Sequence, residues 1–250
     1  MKIIVVGTGY VGLPHAAVCA ESGHEVIAYD IDKARIGAYQ SGQRDEIERY
    51  VNEPGLAAAI AETLNNYLFF TTDITSIIEG VDVLFMCLNT PPNRDGSTDL
   101  SYYTNAAYTV AKLLAARKDK KRVVIVNKST VPIGTARILQ NILQECGAEN
   151  VGVASNPEFL AQGNAMDGSR RPDRVVVGAD TEEDFKILRR IYAQFYNHVR
   201  IQYLETTPET SESIKYVANT LLLTYISFWN GVGARLGETY DNVRMEDLKR

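Results

Sequence analysis

The chain has 250 residues, of which 45% are apolar and 23% charged, an ordinary composition for a protein with a sizeable core. Its 26 Lys and Arg stand against 31 Asp and Glu, so it carries no basic footprint for nucleic acid. The longest apolar stretch, residues 221–232, is interrupted by polar residues and is shorter than the roughly 20 residues that span a bilayer. With no secretory leader before the first strand-like run, we expect a cytoplasmic protein without a membrane partner.

Short runs rich in β-branched residues alternate with amphipathic segments of helical length. The runs predict strands at residues 3–6, 25–29, 81–86, 122–126, 151–154, 174–177 and 199–202, and residues 69–71 fit one more short strand. The helices between them are expected to begin near Gly9, Asp32, Pro54, Leu100, Gly134 and Thr181. This alternation predicts an α/β, Rossmann-like fold with a doubly wound parallel sheet.

A single apolar pattern with three- and four-residue spacing predicts one long helix from Pro208 to about Leu236. We therefore divide the chain into a first domain, residues 1–205, and a central helical segment, residues 206–250. Residues 245–250 begin another helical pattern, so we expect a truncated end. Phe228 and Trp229, if exposed, would favour a homodimer through the long helix.

The cysteines and histidines suggest no disulfide or metal site. Cys19, Cys87 and Cys146 are odd in number and widely spaced in apolar or helical surroundings, which favours structural roles. The three histidines have no partner at ligand spacing, and we expect no metal.

A Gly-x-Gly-x-x-Gly turn joins the first predicted strand to the first helix. Gly7 permits a tight turn, Gly9 lets a pyrophosphate approach the backbone, and Gly12 allows close helix packing. Tyr10 and Val11 lie inside this turn. We therefore place all five residues in a dinucleotide-binding site.

The second predicted strand ends at Asp30, where a carboxylate can accept hydrogen bonds from a ribose. Because that charge would repel a 2′-phosphate, NAD is favoured as the cofactor, with Arg35 close to it. Lys33 and Arg35 leave NADP open. The alternative role of Asp30 is to cap the next helix, for which Asp32 is better placed.

Several short motifs follow the glycine turn in a fixed order. They are Glu-Pro-Gly-Leu at 53–56, Asn-Thr-Pro-Pro at 89–92, Lys-Ser-Thr-Val-Pro-Ile-Gly-Thr at 128–135, Asn-Pro-Glu-Phe-Leu at 156–160, Pro-Asp-Arg at 172–174, and residues 212–219. With this ordered set the chain resembles the UDP-glucose and GDP-mannose dehydrogenases over nearly its whole length.

The resemblance implies that a UDP-sugar is oxidised twice at its 6-hydroxyl by two NAD molecules, through an aldehyde held on a cysteine. The product would be a uronic acid sugar nucleotide, a precursor of acidic polysaccharides. That cysteine belongs to a Gly-Gly-x-Cys-Phe-Pro-Lys-Asp type of motif, which the 250 residues do not contain. We therefore expect the chain to bind NAD without converting substrate, with UDP-glucose as the leading sugar nucleotide.

Two other functions stay open at this point. One is a non-catalytic NAD-binding and dimerisation module. The other is a hydroxy-acid dehydrogenase of related architecture, which leaves the 156–160 motif unexplained.

The resemblance also implies roles for residues at the predicted strand ends. Thr90 would line the cofactor site, unless it only begins a turn. Thr130 would lie near the nicotinamide and a catalytic water, unless it serves as a helix cap. Glu158 would position or deprotonate the water that hydrolyses the thioester, with Phe159 and Leu160 beside the substrate. Alternatively, Glu158 is a surface residue in the first turn of a helix, where the helix dipole favours a carboxylate.

Lys215 and Asn219 are four residues apart, which places them on one face of the long helix. The resemblance implies that they hold the substrate and a developing oxyanion, whereas a lysine on a helix is otherwise a solvated charge.

Gln162 stands where the family usually has Glu, and we still expect it at the cofactor or sugar. Asn230-Gly231 replaces the more usual Asn-Glu, and nothing in the sequence explains this change.

Overall fold

An eight-stranded sheet organises the first part of the chain in the computed structural model, which describes residues 1–240 and 243–248. The strands are β1 (Lys2–Val6), β2 (Glu25–Tyr29), β3 (Leu68–Thr71), β4 (Val83–Met86), β5 (Val123–Asn127), β6 (Val151–Ser155), β7 (Arg174–Ala179) and β8 (Gln202–Thr206). Their order is β3-β2-β1-β4-β5-β6-β7-β8. The chain changes direction across the sheet between β1 and β4, and ligands bind at such a switch point in doubly wound folds.

Helices cover both faces of the sheet. They are α1 (Gly12–Glu21), α2 (Lys33–Gln40), α3 (Arg44–Glu48), α4 (Leu56–Thr63), α5 (Ser101–Ala116), α6 (Thr135–Glu145), α7 (Ala165–Arg170), α8 (Glu182–Ile191) and α9 (Ala193–Tyr196). Because side chains alternate along a strand, Ile3 and Val5 enter the core beneath α1 and α4. Ile4 and Val6 enter the second core beneath α5 and α6. The predicted α/β, doubly wound fold is confirmed.

The sheet is not wholly parallel, which corrects the prediction. β1 to β6 are parallel, but β7 pairs with β6 in the antiparallel sense and β8 follows β7. A parallel return needs a crossover along a face, whereas residues 156–173 contain only the short α7. This connection therefore stays at the carboxyl edge of the sheet, where β1, β4 and β5 also end.

One further prediction of local structure was wrong, and three short helices were not predicted. The strand expected at 199–202 begins at Gln202 instead, because Val199 is fully exposed in a turn closed by the Ile201 amide on the His198 carbonyl, 3.0 Å away. The short helices α3, α7 and α9 were not predicted, since four to six residues are too few to show a helical period.

Contacts divide the chain into two units, Met1–Glu212 and Ser213–Arg250, and α10 (Pro208–Phe228) runs through the boundary. The second unit continues with a π-helix, Trp229–Gly233, then α11 (Ala234–Thr239) and α12 (Met245–Leu248). The long helix is confirmed in extent, with a π-helical turn at Asn230-Gly231. Residues 249–250 of the last predicted helix lie outside the described residues, and the domain boundary at residue 205 stays a prediction.

None of the helices that the structure describes combines the length and apolar character needed to span a lipid bilayer.

Candidate cofactor and substrate site

Two glycines of the turn after β1 are required by the fold itself. Gly7 has φ +94°, and a Cβ there would lie 2.4 Å from the Cys87 carbonyl oxygen. A Cβ on Gly12 would lie 1.9 Å from the Gly7 carbonyl oxygen. Both separations are shorter than any non-bonded contact, so a larger residue would displace α1 from β1 and β4.

Gly9 is different, because none of the residues that the structure describes fills the space beside it. The nearest heavy atom to a Cβ at this position would be Asn89 Oδ1, 4.0 Å away. No side chain caps the N-terminus of α1 at Val11, so its backbone N–H groups can receive an anion. The small residue at position 9 thus leaves room for a group from outside the chain, and a diphosphate fits that description.

Asp30 ends β2 beside this turn and is held by hydrogen bonds from both sides. Its Oδ2 accepts from the Thr8 amide and hydroxyl, each 2.9 Å away, and from Arg35 Nη1 at 3.1 Å. Its Oδ1 accepts from the Asp32 amide at 3.1 Å. Burial acts to raise the pKa of Asp30, but these hydrogen bonds and the Arg35 charge together lower it below its ordinary value.

The cap of the following helix is a separate residue. The Asp32 carboxylate accepts from the amides of Ala34 and Arg35, at 3.0 and 3.1 Å, in the first turn of α2. Asp30 therefore does not cap α2. From the described residues its Oδ1 accepts only the hydrogen bond of the Asp32 amide, so this oxygen can also accept from a ligand hydroxyl.

A cleft of about 1040 Å³ opens between the glycine turn and α5, at the switch point of the sheet. Its polar lining includes Gly7, Gly9, Asp30, Arg35 and Thr90. The rest of the wall is mostly apolar, with Ile31, Ile74, Leu88, Pro91, Tyr102, Ala106 and Val110. A cleft of this size with a few polar groups is typical of a cofactor site.

The loops after β4 and β5 are joined at the edge of this cleft. Thr90 Oγ1 donates to the Thr130 carbonyl oxygen at 2.8 Å, and Ser129 Oγ donates to the Leu88 carbonyl oxygen at 2.7 Å. Thr130 and Ser129 belong to the turn before α6. The cofactor-side loop and the Thr130 turn therefore hold each other in place.

A carboxylate from the start of α10 closes the first turn of α6. Glu212 is buried, and its oxygens accept from the amides of Gly134 at 2.6 Å and Ala136 at 2.9 Å. Burial raises the pKa of Glu212, and the two amide hydrogen bonds offset only part of that effect. The N-terminus of α6 is thus occupied by the protein's own carboxylate, in contrast to that of α1.

The segment after β6 borders a second, smaller cavity of about 320 Å³, lined by Glu158, Phe159 and Leu160 among others. Glu158 accepts a hydrogen bond from the Leu160 amide, and the Phe159 ring lies 4.4 Å from the guanidinium carbon of Arg174. The 156–160 and 172–174 motifs therefore meet at this cavity.

These features match one protein family. Residues 1–196 match the model of the UDP-glucose/GDP-mannose dehydrogenase family, NAD binding domain. The chain belongs to the UDP-glucose/GDP-mannose dehydrogenase family. The resemblance seen in the ordered motifs is thereby confirmed. The cofactor of this domain is NAD, as the glycine turn and Asp30 predict.

Individual members of the family are similar along the whole chain. The UDP-glucose 6-dehydrogenase TuaD of Bacillus subtilis is 36% identical over 98% of this chain and 52% of its own length. The UDP-glucose 6-dehydrogenase of Pseudomonas aeruginosa is 37% identical over 100% and 54%, respectively. The chain therefore spans about half the length of the curated relatives it matches.

Two solved structures have the same fold. A ternary complex of GDP-mannose dehydrogenase from Pseudomonas aeruginosa superposes with a TM-score of 0.89 at 27% identity, over 100% of this chain and 56% of that one. A UDP-glucose dehydrogenase from Pyrobaculum islandicum superposes with a TM-score of 0.83 at 35% identity, over 93% and 52%.

The predicted site residues of this family member fall into separate groups. Gly7, Gly9, Asp30, Arg35 and Thr90 line the large cleft. Tyr10, Val11 and Gly12 continue the turn into α1, and Thr130 joins the cleft through Thr90. Gln162 is exposed and is absent from the linings described for both cavities, although Ala161 and Asn164 border the smaller one. Lys215 and Asn219 lie one turn apart on α10, in the second unit.

Two of the cysteines that the structure describes, Cys19 and Cys87, are poor nucleophiles. Cys19 and Cys87 are fully buried, and burial raises the pKa of each thiol to about 12, although the Lys128 charge acts in the opposite direction. Cys146, at the end of α6, is partly buried and unpaired with another cysteine. Neither Cys19 nor Cys87 has the surroundings of an activated thiolate.

Two buried carboxylates were not assigned a role from the sequence. They are Glu212, described above, and Glu53. Glu53 Oε1 accepts from the Gly163 amide and Glu53 Oε2 from the Ala165 amide, each at 2.8 Å. Both belong to recognised motifs, at 53–56 and 212–219. Their partners lie more than 70 residues away, so no local pattern could reveal these contacts.

Proposed function

We propose that this chain is the NAD-binding part of a nucleotide-sugar 6-dehydrogenase that oxidises a UDP-hexose, with UDP-glucose as the leading substrate. The observation that carries the proposal is the open space at Gly9 beside an uncapped helix N-terminus and Asp30. Relatives named as UDP-glucose 6-dehydrogenases, alike over 98–100% of the chain, support the substrate class.

In this proposal the cleft receives NAD with its diphosphate at the Gly9 turn and its adenosine ribose at Asp30. The apolar wall from Ile31 to Ile74 suits the adenine ring, and Thr90 with Thr130 borders the nicotinamide end. NAD, when bound, supplies the hydride acceptor. The chain's own residues orient it and exclude water from the reacting end.

The remaining site residues are proposed from the family motifs. Glu158 would position or deprotonate a water, and Phe159 and Leu160 would contact the sugar nucleotide from the smaller cavity. Lys215 and Asn219 would stabilise a developing oxyanion by charge and hydrogen bonding. Gln162, which we place at the cofactor or sugar, can donate and accept hydrogen bonds but cannot act as a base.

A homodimer through the second unit is part of the proposal. Leu221, Leu222, Tyr225 and Phe228 are half or more exposed along α10, and clustered exposed apolar side chains of this kind favour association. Trp229 adds less to this exposed apolar surface than the sequence suggested, because it is only partly exposed and packs edge-on against Phe228. We also retain the cytoplasmic location as part of this proposal.

The experiment that tests the function has two parts. Isothermal titration of the 250 residues with NAD and NADP should give binding of NAD and weaker binding of NADP. NADH formation from UDP-glucose, GDP-mannose and a UDP-N-acetylhexosamine is then followed with this chain and with the complete protein that contains it. We expect turnover only from the complete protein, with two NADH per UDP-glucose. No NAD binding, or sustained NADH production by the 250 residues alone, would contradict the proposal.

A further inference from the structure

The segment that carries Glu158 is held at its far end by a carboxylate from a distant part of the sequence. Glu53 lies between α3 and α4, and only 2% of it is exposed. Its Oε1 accepts from the Gly163 amide and its Oε2 from the Ala165 amide, each at 2.8 Å. A buried carboxylate that accepts two N–H groups makes stronger hydrogen bonds than a neutral acceptor would.

The position of α7 follows from this contact and from one at its other end. Ala165 begins α7, and the negative charge of Glu53 lies at its N-terminus, where the helix dipole favours it. In the last turn, Arg170 pairs with Glu21 of α1, with Nε at 2.9 Å from Oε2. The buried Glu53 contact therefore holds the start of α7, whereas the contact at its last turn is an exposed ion pair.

Leu160 transmits the position of α7 to Glu158. A Cβ at Gly168 of α7 would lie only 3.2 Å from Leu160 Cδ2, so α7 and Leu160 are already in close contact. The Leu160 amide in turn donates to the Glu158 carboxylate. A shift of α7 would therefore move the hydrogen-bond donor that orients Glu158.

Glu53 also lies near the glycine turn. The Tyr10 hydroxyl is buried, and no hydrogen-bond partner for it is found among the described residues. Burial raises the pKa of Tyr10 to about 12, and the charges of Glu53 and Glu158 add to this effect. The charges of both carboxylates therefore act on the Tyr10 hydroxyl of the glycine turn.

We propose that Glu53 is a positioning residue that holds residues 158–165 so that the Glu158 carboxylate keeps its orientation in the smaller cavity. This inference rests on the proposed function, in which Glu158 acts on a water at the sugar nucleotide. Glu53 itself touches neither the substrate nor NAD; it acts through Gly163, Ala165 and Leu160.

The test compares two variants that each remove one anchor of α7. Glu53→Gln keeps the size of the side chain but turns an NH₂ group toward one of the two amides. Glu21→Gln, the control, removes only an exposed ion pair with Arg170 at the other end of the same helix, and such pairs contribute little to holding a helix in place. In the complete protein, we expect Glu53→Gln to lower kcat about 10- to 100-fold, since small displacements of reacting groups have effects of that size. The dissociation constant of Glu53→Gln for NAD should stay within twofold of wild type. The kcat of Glu21→Gln should also stay within twofold of wild type.

Glu53→Asp serves as the conservative variant, since it retains two acceptor oxygens and should recover part of the lost kcat. If Glu53→Gln does not fold, Glu53→Asp is compared with wild type by the same criteria. Equal losses of kcat in the Glu21 and Glu53 variants would reduce Glu53 to a structural role and overturn the proposal. So would a kcat within twofold of wild type in folded Glu53→Gln, or in Glu53→Asp if only that variant folds.

A measurement on the 250 residues separates this inference from the proposed function. Amide hydrogen exchange at Leu160, which Glu53 does not touch, should accelerate about tenfold in Glu53→Gln and stay unchanged in Glu21→Gln. Unchanged exchange at Leu160 overturns the positioning role, whether or not the wild-type protein turns over a sugar nucleotide. Absence of NAD binding or turnover in wild type, with faster Leu160 exchange in the variant, overturns only the proposed function.

Discussion

The Thr90 hydroxyl donates a 2.8 Å hydrogen bond to the Thr130 carbonyl oxygen across two loops that follow neighbouring strands. Thr90 lines the large cleft, and Thr130 precedes α6, so this single bond connects the cofactor wall to the turn of the proposed catalytic threonine. Side chains that bridge two loops in this way restrict both, and pre-organised loops bind ligands with less loss of entropy.

Replacing Thr90 with Val should therefore weaken NAD binding without unfolding the domain. Val keeps the shape of Thr but cannot donate, which leaves the Thr130 carbonyl without this partner and costs about 1–3 kcal/mol of stability. We expect the NAD dissociation constant to rise about 5- to 10-fold, corresponding to about 1 kcal/mol. Thr90→Ser retains the hydroxyl and is the control. Equal NAD affinity for both variants, measured by isothermal titration, would show that the bond has no part in binding.

The glycine turn allows fold and ligand binding to be separated at two positions. Gly12→Ala places a methyl group 1.9 Å from the Gly7 carbonyl oxygen and should destabilise the domain by about 1–3 kcal/mol or more. Gly9→Ala meets no protein atom closer than 4.0 Å and should leave the thermal midpoint nearly unchanged. Its methyl group would nevertheless occupy the diphosphate cradle, so NAD binding should be lost. Normal NAD affinity of Gly9→Ala would place the diphosphate elsewhere.

Asp30 should decide between NAD and NADP. Asp30→Asn removes the charge that repels a 2′-phosphate and leaves Arg35 without its carboxylate partner, so NADP affinity should rise relative to NAD affinity. We expect the NAD dissociation constant to increase about tenfold, which corresponds to about 1.4 kcal/mol. Asp99→Asn makes the same charge change at an exposed turn outside the cleft lining and serves as the control. If the ratio of the two affinities in Asp30→Asn equals that of wild type, Asp30 does not read the ribose.

Asp30 should also shape the acid stability of the domain. Because its pKa is lowered in the folded state, the carboxylate stabilises the fold above its ordinary pKa of 3.8, and this stability is lost as the pH falls through the folded-state pKa. In urea unfolding, wild type should lose stability below about pH 4 more steeply than Asp30→Asn. Parallel curves for the two proteins would show that Asp30 has no net ionisation linkage to folding.

The sequence could predict the parts of the site that are encoded locally. Asp30 and Asp32 lie two residues apart, and their separate duties, at the cleft and at the cap of α2, follow from strand and helix patterns alone. The glycine spacing likewise predicts the tight turn at Gly7 and the open space at Gly9. The antiparallel β7 was missed because pairing sense depends on where residues 156–173 run, which no periodicity records. Glu53 was missed for a related reason, since its partners become neighbours only after the sheet forms.

Glu212 is the counterpart of Asp30, because burial raises its pKa in the folded state. A raised carboxyl pKa contributes stability that is complete below the ordinary value of 4.5 and is lost as the pH rises through the folded-state pKa. Wild type should therefore lose stability relative to Glu212→Gln as the pH rises above about 4.5. That sign is opposite to the one expected for Asp30.

The amides of Gly134 and Ala136 determine how far Glu212→Gln can compensate. Gln offers one acceptor oxygen for two N–H donors, so the variant should be about 1–3 kcal/mol less stable at pH 4, where both proteins carry an uncharged or largely uncharged side chain. The difference in unfolding free energy between the two proteins should narrow toward pH 7, because the buried charge on Glu212 destabilises wild type there. Urea unfolding at three pH values measures both trends. A difference that widens toward pH 7 would mean that the two amide hydrogen bonds outweigh burial and that the carboxylate is the stabilising form.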